Sequence, residues 1–405
     1  MPDDGESVVV VADRFWDGVS DHPAGRTGVL VRGGRVERVG PGRAEGATVI
    51  DLGDRTLVPG FIDCHVHVVS ESSPDTSVSA LALAALPAMR TLLDNGFTTV
   101  RDLGCANPAI TVDLREAQRA GVVAGPRLVV APRIISGRGG HGDKSAGLPV
   151  RFGVELGAVA DGVDEVIRVV REEARQGADW IKFAGTGGFS TERDDPERVT
   201  YSEEEVHALV STARDLGKPT AVHAFTDEGV RWAALAGVRS VEHASLAGRA
   251  VLDLMADKGT WLVPTRFVTF EFLRRLDDDA FWADKPDHLR SGIRRHADRL
   301  RECAGNPADS DVRIAFGSDA SVLPHRDNWR EFTAMVSTGI GTLRALRAAT
   351  REAAALLDLP DRGVVRPGAA ADLVAMPGDP FDDIGCTGGV DFVMQGGRVK
   401  RHDRG

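Results

Sequence analysis

Residues 60–69 read GFIDCHVHVV, an apolar run that carries two histidines one residue apart. In an extended strand successive side chains point to opposite faces, so His65 and His67 share one face while Val66 and Val68 turn to the other. Both imidazoles can then meet a single cation, which gives a buried strand a reason to hold them. From Gly60 to Leu359 the chain alternates short β-branched runs with longer segments of helical period, the pattern of repeated β-α units around a parallel sheet. Strands are expected over 61–69, 97–104, 127–136, 180–185, 219–225, 240–245, 260–266 and 313–320. Eight strands with crossover helices close most simply into a (β/α)8 TIM barrel of α/β class.

Helix ends support the same rhythm. Ser202 with Glu205 forms a capping box, Thr226 is an expected N-cap, and Gly96, Gly177, Gly217, Gly237 and Gly259 sit where helices stop. The chain ends differ: 7–57 and 364–401 carry short strands and Gly-rich turns without helices. They are expected to pair into one small β-sandwich, which divides the chain into sandwich (1–58), barrel (59–362) and sandwich again (363–405). A charged, helical insertion at about 270–310 reads as a lid, a dimer arm or a solvated helix pair.

The bulk numbers narrow the function. With 405 residues, 42% hydrophobic and 27% charged, the chain suits a soluble globular protein of one large domain plus an appendage. Its 49 basic and 60 acidic residues give a net charge of -11 with no basic run, so no nucleic-acid partner is expected. Cys64, Cys105, Cys303 and Cys386 form no C-x-x-C pair, which fits a reducing compartment rather than a disulfide framework. The start, MPDDGESVVVVADRF, is acidic, and its apolar run is too short for a signal peptide or a membrane span. A cytoplasmic protein with a small-molecule substrate and no membrane contact is expected.

In a barrel of this kind chemistry sits at the C-terminal ends of the strands. Strand one brings His65 and His67 there, strand four Lys182, strand five His223, strand six His243 and strand eight Asp319. Scattered core histidines have no reason to fall in such register. Imidazole and carboxylate suit zinc, with manganese, iron or cobalt as alternatives. Lys182 is the odd member, because a protonated lysine would be repelled by a cation. Burial and nearby positive charge lower a lysine pKa, and the neutral amine adds CO2 to give an anionic carbamate. Such a group bridges two metals roughly 3.5–4 Å apart.

The stretches GFIDCHVHV, WIKFAGTGG, AVHAF, VEHAS and FGSDAS, in that order, resemble the amidohydrolase superfamily in its dinuclear, carboxylated-lysine form. The likeness continues through TREAAALLDLPDRGVVRPGAAADLVAMPGDPFDDI and so covers nearly the whole chain. It implies that His65, His67 and Asp319 hold one divalent metal, that His223 and His243 hold the second, and that carboxylated Lys182 bridges them. Asp319 would also take the proton of a hydroxide shared by the metals. The deaminase branch usually carries a glutamate three residues after the strand-five histidine; here that position is Thr226.

The loop ISGRGGHGDKS is similar to the prolidase-like branch of Xaa-Pro and Xaa-Arg dipeptidases, related to imidazolonepropionase, and implies that His141 helps hold the substrate. GSDASVLPHRDNWREF places His325 and Arg326 either at the pocket or at a helix start. Dipeptidase-like members often have a tyrosine where this chain has Phe225, so a hydroxyl is missing, and Arg266 is expected either to supply that anion contact or to form a surface salt bridge. Phe189, Phe225 and Phe267 add apolar surface near the mouth. The implied activity is cleavage of an amide C–N bond in a dipeptide or N-acyl amino acid by a homo-oligomeric enzyme. A lactonase, phosphotriesterase or cyclic-amide hydrolase would use the same metal core. A non-catalytic scaffold would be expected to have lost ligands, and all six are here.

Overall fold

Parallel strands that bury both faces need near-continuous apolar runs, and these runs are where the strands form. The computed structural model describes residues 7–41, 45–70, 76–145, 156–192 and 194–403; the acidic start, 1–6, lies outside them. Barrel strands one and two are Phe61–Val66 and Phe97–Asp102, followed by Arg127–Val130 in the same parallel sheet. A second parallel sheet runs through Ile134–Ser136, Ile181–Ala184, Thr220–Ala224, Ser240–His243 and Trp261–Val263.

Two of the expected strands differ in detail. The third is broken in two around Pro132, which has no N–H to give to a ladder. Its second half gains an extra neighbour, the short strand Ala158–Val159. The eighth, over 313–320, is not a regular strand, yet it closes the barrel. Ala315 N–H donates to the Leu262 carbonyl at 2.9 Å, and on the other side Cys64 N–H donates to the Phe316 carbonyl at 2.8 Å and Asp319 N–H to the His65 carbonyl at 2.7 Å. Gly317 permits this approach, since a Cβ there would lie 2.2 Å from Val263 Cγ1 and 2.8 Å from His65 Cβ.

Helix ends follow the expected chemistry with one exception. Ser202 Oγ accepts from Glu205 N–H at 3.3 Å while the Glu205 carboxylate accepts from Ser202 N–H at 2.7 Å, a complete capping box. Thr226 holds the N-cap position of Asp227–Ala236, but its hydroxyl makes no capping bond and is buried without a partner.

The chain ends build two further sheets. One is four-stranded (Arg35–Gly40, Thr27–Arg32, Val8–Ala12, Thr48–Asp51), and the other five-stranded, joining Arg14–Phe15 and Arg55–Pro59 to Leu373–Pro377, Phe392–Gln395 and Arg398–His402. Val10, Val29 and Val31 of the first share an apolar cluster with Leu57, Leu373 and Phe392 of the second.

The insertion forms Arg266–Arg274, Asp279–Trp282 and Asp287–Cys303. Its apolar side is not solvated. Phe272, Trp282, Leu289, Ile293 and Leu300 pack in one cluster with Phe225 at the end of strand five, so the insertion roofs the barrel mouth. No helix among the described residues is long and apolar enough to cross a membrane.

Candidate active site

At the C-terminal strand ends the expected polar residues converge. His65, His223 and His243 are buried, and Lys182 is 1% exposed. Imidazole centroids lie 5.5 Å apart for His65 and His67, 5.0 Å for His65 and His243, and 4.6 Å for His223 and His243. Asp319 Oδ1 sits 3.4 Å from His65 Nε2 and 3.5 Å from His67 Nε2. Ligand atoms of His65, His243 and Asp319 all lie within 4.8 Å of one another. This trio draws on both expected metal sets, so the two sets stand side by side.

Each imidazole is oriented by a partner on its outer nitrogen. His65 Nδ1 donates to Glu242 Oε2 at 2.8 Å, His67 Nδ1 to the Gly104 carbonyl at 2.7 Å, and His223 Nε2 to the Gly187 carbonyl at 3.1 Å. His243 Nδ1 pairs with Thr265 Oγ1 at 2.7 Å. Carbonyls and carboxylates only accept, so each fixes the tautomer and leaves the other ring nitrogen for the interior. Burial pushes His65 down to about 4 and His223 down to about 3, and His243 well below its ordinary value, so these rings stay neutral donors of a lone pair. For His67 burial opposes the charge, but the Asp319 carboxylate outweighs it and raises the pKa.

Backbone strain gathers at the same place. Among the described residues six non-glycines have positive φ, and five of them, His243, Ala244, Thr265, Asp319 and Ser321, stand at the ends of strands six to eight. Such conformations cost about 1–3 kcal/mol each and persist where surroundings over-determine them. Asp319 illustrates the cause. Its N–H is tied to strand one, and the neighbouring Ser318 N–H and Oγ donate to the buried Asp63 carboxylate at 3.1 and 2.6 Å.

Lys182 Nζ is buried with no hydrogen-bond partner. Burial, with Arg101 adding to it, lowers its pKa to about 8. A buried amine without a partner is costly unless another group completes it. Burial also works against the charge of Asp319, but His65, His67 and Lys182 outweigh it and hold the carboxyl well below the usual carboxylate range. Four imidazoles, a carboxylate and an orphaned, easily neutralised amine are the donor set that a pair of divalent metals with a carbamate bridge requires. These residues fit that group.

The family profile of amidohydrolases matches residues 56–400. The chain belongs to the amidohydrolase family. It is 30% identical over 363 residues to an ochratoxinase of Aspergillus niger, across 81% of this chain and 71% of that protein. A solved Xaa-Pro dipeptidase with bound methionine superposes with a TM-score of 0.90 at 31% identity, covering 98% of this chain and all of the other. A prolidase complexed with N-methylphosphonate-L-proline gives 0.87, again at 31% identity and 98% coverage of this chain, with 100% of that chain covered. This amidohydrolase is therefore a TIM-barrel hydrolase of carbon–nitrogen bonds that acts on small molecules.

The cage opens into a cavity of about 310 Å3 under the roof helices. His141 and Phe225 line it, as the loop and strand five led one to expect. The His141 ring stacks on His223 with centroids 4.0 Å apart, and Phe225 stacks on His243 at 5.0 Å. Gly188 makes room for His141, since a Cβ there would sit 2.3 Å from its Nδ1. Phe189, Phe272, Leu289 and Ile293 supply an apolar wall.

Two expected contacts of this amidohydrolase lie elsewhere. Arg266 is 2% exposed, starts a roof helix and does not line the cavity. Its backbone N–H is taken at 2.9 Å by Glu331, and its side chain turns into the protein interior, neither an anion contact nor a surface salt bridge. His325 also does not line the cavity; its Nε2 donates to the His67 carbonyl at 2.9 Å, which braces strand one from a short 3-10 turn. Phe267 packs in the roof cluster behind the wall.

Sequence reasoning missed the partners behind the cage. Glu242 and Arg101 are fully buried and paired at 2.9 Å; Arg101 also donates to the Cys64 carbonyl at 2.6 Å and Ser240 Oγ donates to Glu242 at 2.6 Å. Removing one partner of such a pair would leave an uncompensated charge. The signal was present, because both are charged residues inside apolar strands, as Lys182 is.

Proposed function

We propose that this amidohydrolase cleaves the amide bond of a dipeptide or N-acyl amino acid with two divalent metals, zinc by ligand preference, bridged by a carbamate on Lys182. The observation that carries the reading is Lys182 Nζ, buried without a partner among four imidazoles and Asp319. His65, His67 and Asp319 would hold one metal and His223 and His243 the other. Loss of a proton from the Lys182 ammonium and addition of CO2 to the neutral amine yields the carbamate and releases one further proton.

Bound metals would polarise the scissile carbonyl and make water a nucleophile near neutral pH. The chain's own residues do the rest. Asp319, kept ionised by its neighbours, accepts the proton of the attacking water and returns it to the leaving nitrogen. The roof helices cover part of the mouth, and the apolar wall receives a hydrophobic side chain or acyl group. His141 is placed to hold the leaving half. Methionine and a proline phosphonate, bound by the two similar enzymes, each carry a free carboxylate, which supports such a group here.

We infer further that the terminal sheets form one β-sandwich domain from 1–58 and 363–405 beside the barrel at 59–362, supported by their common apolar cluster. A reducing, cytoplasmic setting agrees with four cysteines of which none is disulfide-bonded among the described residues.

A substrate screen tests the function. Dipeptides and N-acyl amino acids are assayed beside lactones, phosphotriesters and cyclic amides, and turnover is expected with free-carboxylate amides. For the best of them His141→Ala should raise KM by about tenfold with a smaller effect on kcat, because the contact exists in ground and transition states alike. Turnover confined to lactones, phosphotriesters or cyclic amides would sink the reading.

A further inference from the structure

We propose that Glu242, gripped by Arg101, is a positioning residue that orients His65 and strengthens it as a ligand, so that one of the two metals depends on a charge pair the other does not use. The proposal rests on the reading of the cage as a dinuclear metal centre. Of the four imidazoles, His67 and His223 give their outer N–H to backbone carbonyls and His243 pairs with a hydroxyl. His65 differs, because its Nδ1 donates to a carboxylate, Glu242 Oε2, at 2.8 Å. Its other nitrogen, Nε2, lies 3.4 Å from Asp319 Oδ1 and so faces the cage. A carboxylate behind an imidazole fixes the tautomer and makes the ring a stronger donor to a metal, which a neutral partner does more weakly.

The carboxylate is itself held from behind. Its Oε1 accepts from Arg101 Nη2 at 2.9 Å and from Ser240 Oγ at 2.6 Å. Arg101 in turn donates through Nε to the Cys64 carbonyl at 2.6 Å and through Nη1 to Ser240 Oγ at 3.0 Å, and its guanidinium lies 4.4 Å from the centroid of the Trp180 ring. The brace therefore runs from strand two through strand six to Cys64 and His65, neighbours on strand one. Stability does not account for it. Taking both charges out of water offsets most of their attraction, and an apolar pair of similar volume commonly serves a core as well or better. What this pair supplies, and an apolar pair cannot, is a fixed anion on the back of a ligand imidazole.

The test uses the full chain, stripped of metal and titrated with zinc in bicarbonate buffer against a competing chromophoric chelator, with thermal melts of the metal-free and zinc-loaded forms. The wild type should take up two zinc ions. Glu242→Gln keeps an acceptor of the same shape without the charge. It should weaken one zinc ion by about 10- to 100-fold, the usual scale for such an outer partner, and leave the other close to the wild type. Zinc should then raise the melting temperature of Glu242→Gln less than that of the wild type, because stabilisation by a ligand follows its affinity. Since Glu242→Gln leaves Arg101 without its counter-charge, the double variant Arg101→Gln with Glu242→Gln removes both charges together and guards against a failure to fold. It should show the same loss of one zinc ion. Wild-type affinities for both zinc ions in either variant would overturn the role of Glu242 while leaving the dinuclear centre standing. A lower melting temperature of the metal-free form with an unchanged rise on adding zinc would assign the pair to folding of the barrel and overturn it as well, as would an equal loss at both sites. A wild type that binds one zinc ion or none would remove the dinuclear reading itself.

Discussion

Lys182→Ala should lose its metals and its activity together, with kcat/KM down by on the order of 10³ or more, since a metal centre supplies several kcal/mol of transition-state stabilisation. The expectation follows from position. Nζ lies within the cage and has no hydrogen-bond partner, so no other described group takes over its role as a bridge. The fold should survive, because the strand around it, Ile181–Ala184, is held by its parallel neighbours on both sides and not by the lysine head. Metal analysis, steady-state kinetics and a thermal melt on one preparation separate the outcomes. Full metal content with normal turnover would make Lys182 a structural lysine.

Asp319→Asn should keep the fold and lower kcat by roughly 10² or more, the usual scale for a general acid–base group. An amide retains most of the shape but cannot accept a proton. The φ of 54° at this position suits asparagine as well as aspartate, so the substitution adds no backbone strain. In the metal-free protein the imidazoles at 3.4 and 3.5 Å lose their anionic neighbour, and the pKa of His67, raised by that carboxylate, should fall. The pH profile of activity should change in shape as well as height, because the carboxylate that accepts the proton is gone. Turnover near that of the wild type would take Asp319 out of the proton relay.

The barrel was legible because its strands are buried on both faces, which leaves eight apolar runs at regular intervals. His65, His67, Lys182, His223, His243 and Asp319 stood out against that apolar background, and the structure brings them together in one cage. Glu242 and Arg101 stood out equally, but carboxylate and guanidinium next to a histidine strand were not read as a pair, since strands two and six become partners only across the barrel. The break at Pro132 was readable from the missing N–H alone.

What sequence could not show is direction at a strand end. Arg266 follows strand seven as closely as Asp319 ends strand eight, yet it starts a helix whose first N–H groups are captured by Glu331, 65 residues further on. The side chain is buried away from the cavity, and no local pattern encodes that capture. The roof is a similar case. Charged residues dominate 270–310, and only the packing of Phe272, Leu289 and Ile293 against Phe225 reveals which face is covered.

The central claim is a dinuclear centre bridged through Lys182, and its most direct test is elemental analysis of protein grown with zinc and bicarbonate. The account predicts close to two divalent metals per chain, lost together when Lys182 is replaced. One tightly held metal, or none, would contradict it.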